Sequence, residues 1–255
     1  ALLPWGKPGK TTPQDVDQLS SAAFFKMESP PALAGQAFVQ RQFFNKSSET
    51  FYYFPGQRRV RRMPAYTHDA PVIGMENQYL IDEANMFYGT IDRFNWKLVG
   101  KKELLVPYNA FGMYKFKTNL HDVATPDGVA SGNRRYEMHR VWVVEATLKP
   151  SARHVASKKV FYLDEDSWLA LVGEDYDAQG KLWKVRESYP IPVWELGGTC
   201  DNLPFAMYDL SNGRYVMDQT TFGQGKDIRW YEQINDPRFK TDFFTAETLR
   251  AVSER

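Results

Sequence analysis

Four arginines in five positions, Arg58, Arg59, Arg61 and Arg62, follow the aromatic run Phe51-Tyr52-Tyr53-Phe54 and the turn Pro55-Gly56. Guanidinium forks match phosphate or carboxylate oxygens two at a time, so arginines beside an aromatic wall suit an anion or the head group of an amphiphile. Tyr53 and Phe54 would form that wall. The same run also fits an edge strand whose positive charge discourages pairing with other chains. The motifs of nucleophilic, zinc and phosphate chemistry are missing: there is no GxSxG, HExxH, phosphate loop or GxGxxG. His68, His121, His139 and His154 have no partners at metal-ligand spacing. Asp175, Asp177, Gln179 and Gly180 open like a calcium loop, but its twelfth position is Arg186 where a bidentate glutamate is needed. A hairpin turn accounts for them better. The residues therefore predict no catalytic group, no metal and no cofactor.

These side chains need a scaffold, and the composition bounds it. The chain has 255 residues, with 32 Lys plus Arg against 31 Asp plus Glu. A formal charge of +1 gives no broad field for nucleic acid, so none is expected as a partner. Aromatic residues make up 15% of the chain, which suits sheets with large apolar faces. A single cysteine, Cys200, excludes an intramolecular disulfide. No run approaches the roughly 18–20 apolar residues of a membrane-spanning helix.

Thr12 as cap, Pro13, and Val16, Leu19, Ala23, Phe24 and Met27 at helical spacing predict a helix that Ser29-Pro30-Pro31 ends. From about Gly35 the pattern changes to short β-rich runs. Strands are expected near 36–44, 49–55, 57–63, 94–106, 111–118, 134–148, 155–163, 167–176, 181–190 and 214–222. A helical turn or two is expected over Asp82–Phe87, and a final helix after Thr245. With no linker dividing it, 1–255 reads as a single α+β domain, mainly β.

Alternation over 136–148 puts Trp142 and Val144 on one apolar face. A hairpin closed by Asp177–Gly180 would pair Trp168 with Tyr189, Val172 with Val185 and Glu174 with Trp183, leaving Asp175, Lys184, Arg186 and Ser188 on the opposite face. A sheet of some ten strands exposes more apolar surface than a few helices cover, so it must close, pair or line a cavity. Trp142, Val144, Trp168, Val172, Trp183, Val185 and Tyr189 are the expected cavity-side residues.

Tyr53-Phe54-Pro55-Gly56-Gln57-Arg58-Arg59-Val60-Arg61-Arg62 and Asp92-Arg93-Phe94-Asn95-Trp96-Lys97-Leu98-Val99-Gly100-Lys101-Lys102-Glu103 resemble the uncharacterised Gram-negative family called domain of unknown function 1329. The stretches Trp142–Pro150, Phe161–Asp164 and Tyr176–Lys181 are similar to the outer-membrane lipoprotein-sorting carriers of LolA, LolB and LppX type. The resemblance implies a strongly curved antiparallel sheet, an incomplete LolA-like β-barrel, with a few covering helices. It also implies an exported, periplasmic location and a C-terminal portion of a longer precursor. On this reading the chain is a non-enzymatic carrier that shelters a lipid, a lipoprotein acyl chain or another hydrophobic ligand. Its further partner would be an envelope transporter or outer-membrane protein. The alternative is a cell-envelope interaction module with a filled core.

Overall fold

A computed structural model of the chain describes residues 19–43, 48–63, 69–197, 199–201, 203–230 and 235–253. They fall into two compact units, one built from the described residues before position 68 and after position 232, the other from those between. In the first unit, Leu19–Lys26 (β1), Ala37–Phe43 (β2), Glu49–Phe54 (β3) and Arg59–Met63 (β4) form an antiparallel sheet in sequence order. One face of that sheet supplies Leu19, Ala22, Ala37, Val39 and Tyr53, which pack on Phe244 and on Leu249 of the helix Ala246–Ser253. Thr245 caps this helix as expected, its Oγ1 accepting from the Thr248 amide at 3.2 Å. The other face carries a ladder of rings, Phe25, Phe38, Tyr52 and Phe54, with successive centroids 4.8, 5.9 and 4.6 Å apart.

The expected N-terminal helix is corrected where the chain is described: its last two turns are β1. A bulge between Leu19 and Ser21 inserts one residue into the strand. Leu19 and Ala22, three apart, then reach the same core, and a strand acquires a helix-like apolar spacing. Residues 12–18 lie outside the described residues.

The second unit runs through Phe94–Pro107 (β5), Ala124–Thr125 (β6), Gly128–Val129 (β7), Tyr136–Leu148 (β8), Lys158–Asp164 (β9), Ala170–Tyr176 (β10) and Leu182–Ser188 (β11). Ile191–Val193 (β12), Thr199–Asp201 (β13), Phe205–Asp209 (β14) and Arg214–Asp218 (β15) follow. Seven of these form one antiparallel sheet in the order β15-β14-β11-β10-β9-β8-β5, while β6–β7 and β12–β13 are separate ladders. The fold is mainly β, and its curved sheets stay open rather than closing into a barrel. Among the described residues no helix is long and apolar enough to cross a membrane.

Three expectations change here. Residues 111–118 are not a strand: Phe111–Tyr114 is a 3-10 turn, because adjacent Met113 and Tyr114 both enter one core, which alternation forbids. The turn expected over Asp82–Phe87 is a 3-10 segment, Ile81–Met86, broken at Ala84 and Asn85. The β10–β11 hairpin pairs Val172 with Glu187 and Glu174 with Val185, two residues away from the expected register. An even shift keeps each paired side chain on its face, but Trp168 and Tyr189 lie outside the ladder and do not pair as expected. Val172, Glu174, Val185 and Glu187 thus share one face, and Asp175, Lys184, Arg186 and Ser188 the other.

The charged face is the buried one. Asp175, Lys184, Arg186 and Ser188 are each fully shielded from solvent, as are Lys159 on β9 and Glu83 in the covering segment. Lys184 Nζ reaches both Glu83 oxygens at 2.9 and 3.0 Å and the Gln78 carbonyl at 3.0 Å. Arg186 donates to Asp175 at 2.7 Å and to the Met86 carbonyl. Lys159 lies 3.2 Å from Asp82 and 3.4 Å from Asp175, and His154 Nε2 is 3.0 Å from Asp82. Gly173 makes room for this packing, since a Cβ there would sit 3.1 Å from the Arg186 guanidinium.

Candidate functional site

β5 and β8 pair over their whole length, 14 residues against 13, interrupted by a bulge at Val99 where Gly100 takes φ +144°. On one face the pairs Leu98–Val144, Lys101–Trp142, Glu103–Arg140 and Leu105–Met138 follow one another. Leu98 is 60% exposed, Leu105 59% and Met138 61%, so this is an open apolar shelf. Its centre is Trp142, with the Lys101 ammonium 4.3 Å from its ring and Trp168 stacked beside it at 6.4 Å and 17°. Lys101 and Arg140 both bind Glu165, at 2.6 and 2.5 Å, so an ion-paired strip crosses the shelf between its two apolar ends.

Trp168 is held here by an unusual backbone. It has φ 60°, a left-handed conformation costing about 1–2 kcal/mol for a side chain with a Cβ. The preceding turn enforces it: Asp164 Oδ2 accepts from the Ser167 amide and hydroxyl at 2.8 and 2.7 Å, and the Trp168 amide donates to the Asp164 carbonyl at 3.0 Å. The indole ends 64% exposed. His139, Asp164 and Asp166 bring ligand-type atoms within 4.8 Å of one another around this turn. Asp164 is already engaged, with His139 Nδ1 on Oδ1 at 3.1 Å and Ser167 on Oδ2, so the turn itself explains the grouping.

The remaining residues expected on the cavity side divide. Trp142 and Val144 share a face with Phe161 and Gly173, whereas Val172 and Val185 lie on the opposite face. There Tyr162 and Tyr176 donate to Glu174 at 3.0 and 2.7 Å. Burial and the Glu174 carboxylate push the Tyr162 hydroxyl up to about 12; the Glu174 hydrogen bond, then burial, does the same to Tyr176. Both are protonated donors at neutral pH. Tyr189 is fully buried and donates to Glu187 at 2.8 Å. Trp183 lies at the irregular end of the hairpin, its ring 4.4 Å from Lys184 Nζ.

The arginine run also divides. Arg61 donates to Gln57 at 2.7 Å and lies 5.9 Å from the Phe54 ring, and Arg62 pairs with Glu49 at 3.3 Å. Arg58 and Arg59 instead line a cleft of about 300 Å³ with Val60 and with Ala246, Glu247 and Arg250 of the helix. Tyr53 is buried in the core on that side, while Phe54 faces the aromatic ladder. The sequence offered no sign that Glu247 and Arg250, nearly two hundred positions away, would meet Arg58.

The sequence model of the family described as "Protein of unknown function (DUF1329)" matches residues 2–250. An uncharacterised protein of Pseudomonas aeruginosa is 35% identical over 198 residues, which is 75% of this chain and 42% of that protein. The chain thus spans less than half of this relative. Among solved structures, an outer-membrane lipoprotein-sorting protein domain of Vibrio parahaemolyticus superposes with a TM-score of 0.56 at 15% identity, covering 89% of this chain and 76% of that one. A protein of the same unknown-function family from Desulfovibrio piger gives 0.53 at 14% identity, covering 87% and 76%. These likenesses show that the chain shares the fold of those two proteins.

Proposed function

The chain belongs to the DUF1329 family, and on that premise we propose that it is a non-enzymatic carrier or binding protein of the Gram-negative periplasm. Its ligand is the apolar part of a lipid, of a lipoprotein acyl chain or of a similar amphiphile. The observation that supports this most is the shelf of Leu98, Leu105, Met138, Trp142, Val144 and Trp168, since several large apolar side chains left open on one face of a folded protein mark a binding face. At about 25 cal/mol per Å², covering a few hundred Å² of it stabilises a complex by several kcal/mol before ordering costs. The aromatic stack supplies a flat wall for an acyl chain, and the Lys101–Glu165–Arg140 ion pairs beside it supply polar contacts for a head group. Delivery would then involve an envelope transporter or outer-membrane protein. A second reading, a protein-docking module, draws support from β5, the terminal strand of its sheet.

The test is native mass spectrometry and lipid extraction of the purified protein, with a fluorescent fatty acid as probe. Co-purifying amphiphile, and probe binding that the surface variant Leu98→Ser/Trp168→Ser weakens at least tenfold with unchanged thermal stability, supports the carrier reading. Absence of both ligand and probe binding overturns it in favour of docking.

A further inference from the structure

We propose that the cleft between the β3–β4 turn and the helix Ala246–Ser253 is an anion site for a phosphate group, independent of the apolar shelf. It lies wholly within the first unit and is lined by Arg58, Arg59, Val60, Ala246, Glu247 and Arg250. Among the described residues the guanidiniums of Arg58 and Arg59 make no ion pair and no side-chain hydrogen bond, whereas their neighbours Arg61 and Arg62 are both engaged. Two unengaged forks aimed at one cleft leave ten donor hydrogens to be met by solvent or by a ligand.

Charge and size select the ligand. Arg58 and Arg59 bring two positive charges that are not engaged elsewhere, which suits the two negative charges of a phosphate monoester or hydrogen phosphate near neutral pH, with the Glu247 carboxylate opposing them. A carboxylate ligand offers only two oxygens, which one fork satisfies, whereas a phosphate offers three or more to separate forks. A cleft of about 300 Å³ accepts a phosphate and a few attached atoms but has no room for a long chain. The helix also presents its first residues, Ala246 and Glu247, to the cleft, so the dipole adds to the arginines.

The backbone at Arg58 supplies a clean perturbation. Arg58 has φ 47° at the end of the 3-10 turn Pro55–Gln57, a conformation glycine adopts without strain. Arg58→Gly therefore deletes the guanidinium without harming the turn. Binding of inorganic phosphate to the full chain is measured by calorimetry at low salt, beside flotation with vesicles of phosphatidylcholine alone or with phosphatidic acid. The double variant Arg58→Gly/Arg59→Gln is expected to weaken phosphate binding at least tenfold with its unfolding temperature unchanged, and Glu247→Gln to tighten it about threefold by removing the like charge. Phosphate binding without preference for phosphatidic acid assigns the site to soluble phosphates; preference for those vesicles, lost in the double variant, assigns it to a lipid head group. Phosphate affinity that is undetectable, or that none of these substitutions moves, overturns the proposal. Because Glu247→Gln acts in the opposite direction, it decides the matter even if the double variant fails to fold.

Discussion

Replacing Lys184 with methionine removes one ammonium from the buried charge layer while keeping most of the side-chain volume. Its partner Glu83 is fully buried and would keep only the Leu80 amide, at 2.7 Å, as a donor. Breaking a buried pair from one side costs about 3–5 kcal/mol, because the surviving charge has neither partner nor water. The Gln78 carbonyl also loses its donor, within the same range. With a urea m-value of about 2–3 kcal/mol per molar, the midpoint should fall by about 1–2 M. Glu83→Gln should cost a similar amount by stranding Lys184. The double variant removes both charges together and should cost at least about 2 kcal/mol less than the two single losses combined. Urea unfolding of the four proteins, followed by tryptophan fluorescence, completes the cycle. A Lys184→Met cost below about 1 kcal/mol, or strict additivity, refutes the claim that these charges are desolvated and mutually dependent.

Burial alone would raise the Asp82 and Asp175 carboxyls, but Lys159 and His154 beside the first, and Arg186 and Lys159 beside the second, hold both below their ordinary values. The folded protein then binds fewer protons there than the unfolded chain, so this stability is complete above about pH 4 and declines as pH falls further, by up to about 2.7 kcal/mol per unit for the two groups. Burial pushes the Glu83 and Asp218 carboxyls up and opposes this loss. The contribution is therefore read as the stability difference between the wild type and Asp82→Asn by chemical denaturation from pH 6 to 2.5; that difference should shrink as pH falls, and one that stays constant would count against the ion pairing. Gly112→Ala would place a Cβ 2.3 Å from the Asn133 carbonyl oxygen. Since backbone must move to admit it, a loss of about 1–3 kcal/mol is expected in thermal unfolding, and a neutral result would show that the 131–133 turn is free to shift.

The long strand at 136–148 was legible from its alternation, but the apolar face so marked is the open one: Met138 is exposed, whereas Val141 and Val143 on the other face are buried. β14 escaped notice for the opposite reason. Phe205, Ala206, Met207 and Asp209 are all buried, so both faces of the strand are covered and no alternation marks it. β1 was misread because its bulge brings Leu19 onto the face of Ala22 and Phe24, so no simple alternation marks the strand. The charged face of β10 and β11 was set opposite the apolar one, but its burial was not legible, since each strand by itself shows only Asp175, Lys184 and Arg186. Lys184 is paired by Glu83, and Lys159 beside Asp175 by Asp82, from distant positions, and single-strand patterns carry no record of such partners. The site was partly legible in the same sense. Trp142 and Val144 were placed on one face by alternation alone, but Leu98 and Met138 join them only through the β5–β8 register, and Trp168 through a left-handed turn.

The buried charges also bear on how the chain assembles. The cover segment that carries Gln78, Glu83 and Met86 reaches sheet residues about a hundred positions later in sequence, so during synthesis it must wait for β11 to emerge. Meanwhile β9, β10 and β11 pair with one another through short hairpins, presenting Lys159, Asp175, Lys184 and Arg186 to water. A face of leucines in their place would stick to neighbouring nascent chains, since partly folded sheets aggregate through uncovered apolar surface. The ionic face instead stays hydrated until its counter-charges arrive. What looks in the finished protein like a costly way to fill an interior keeps the half-built sheet soluble.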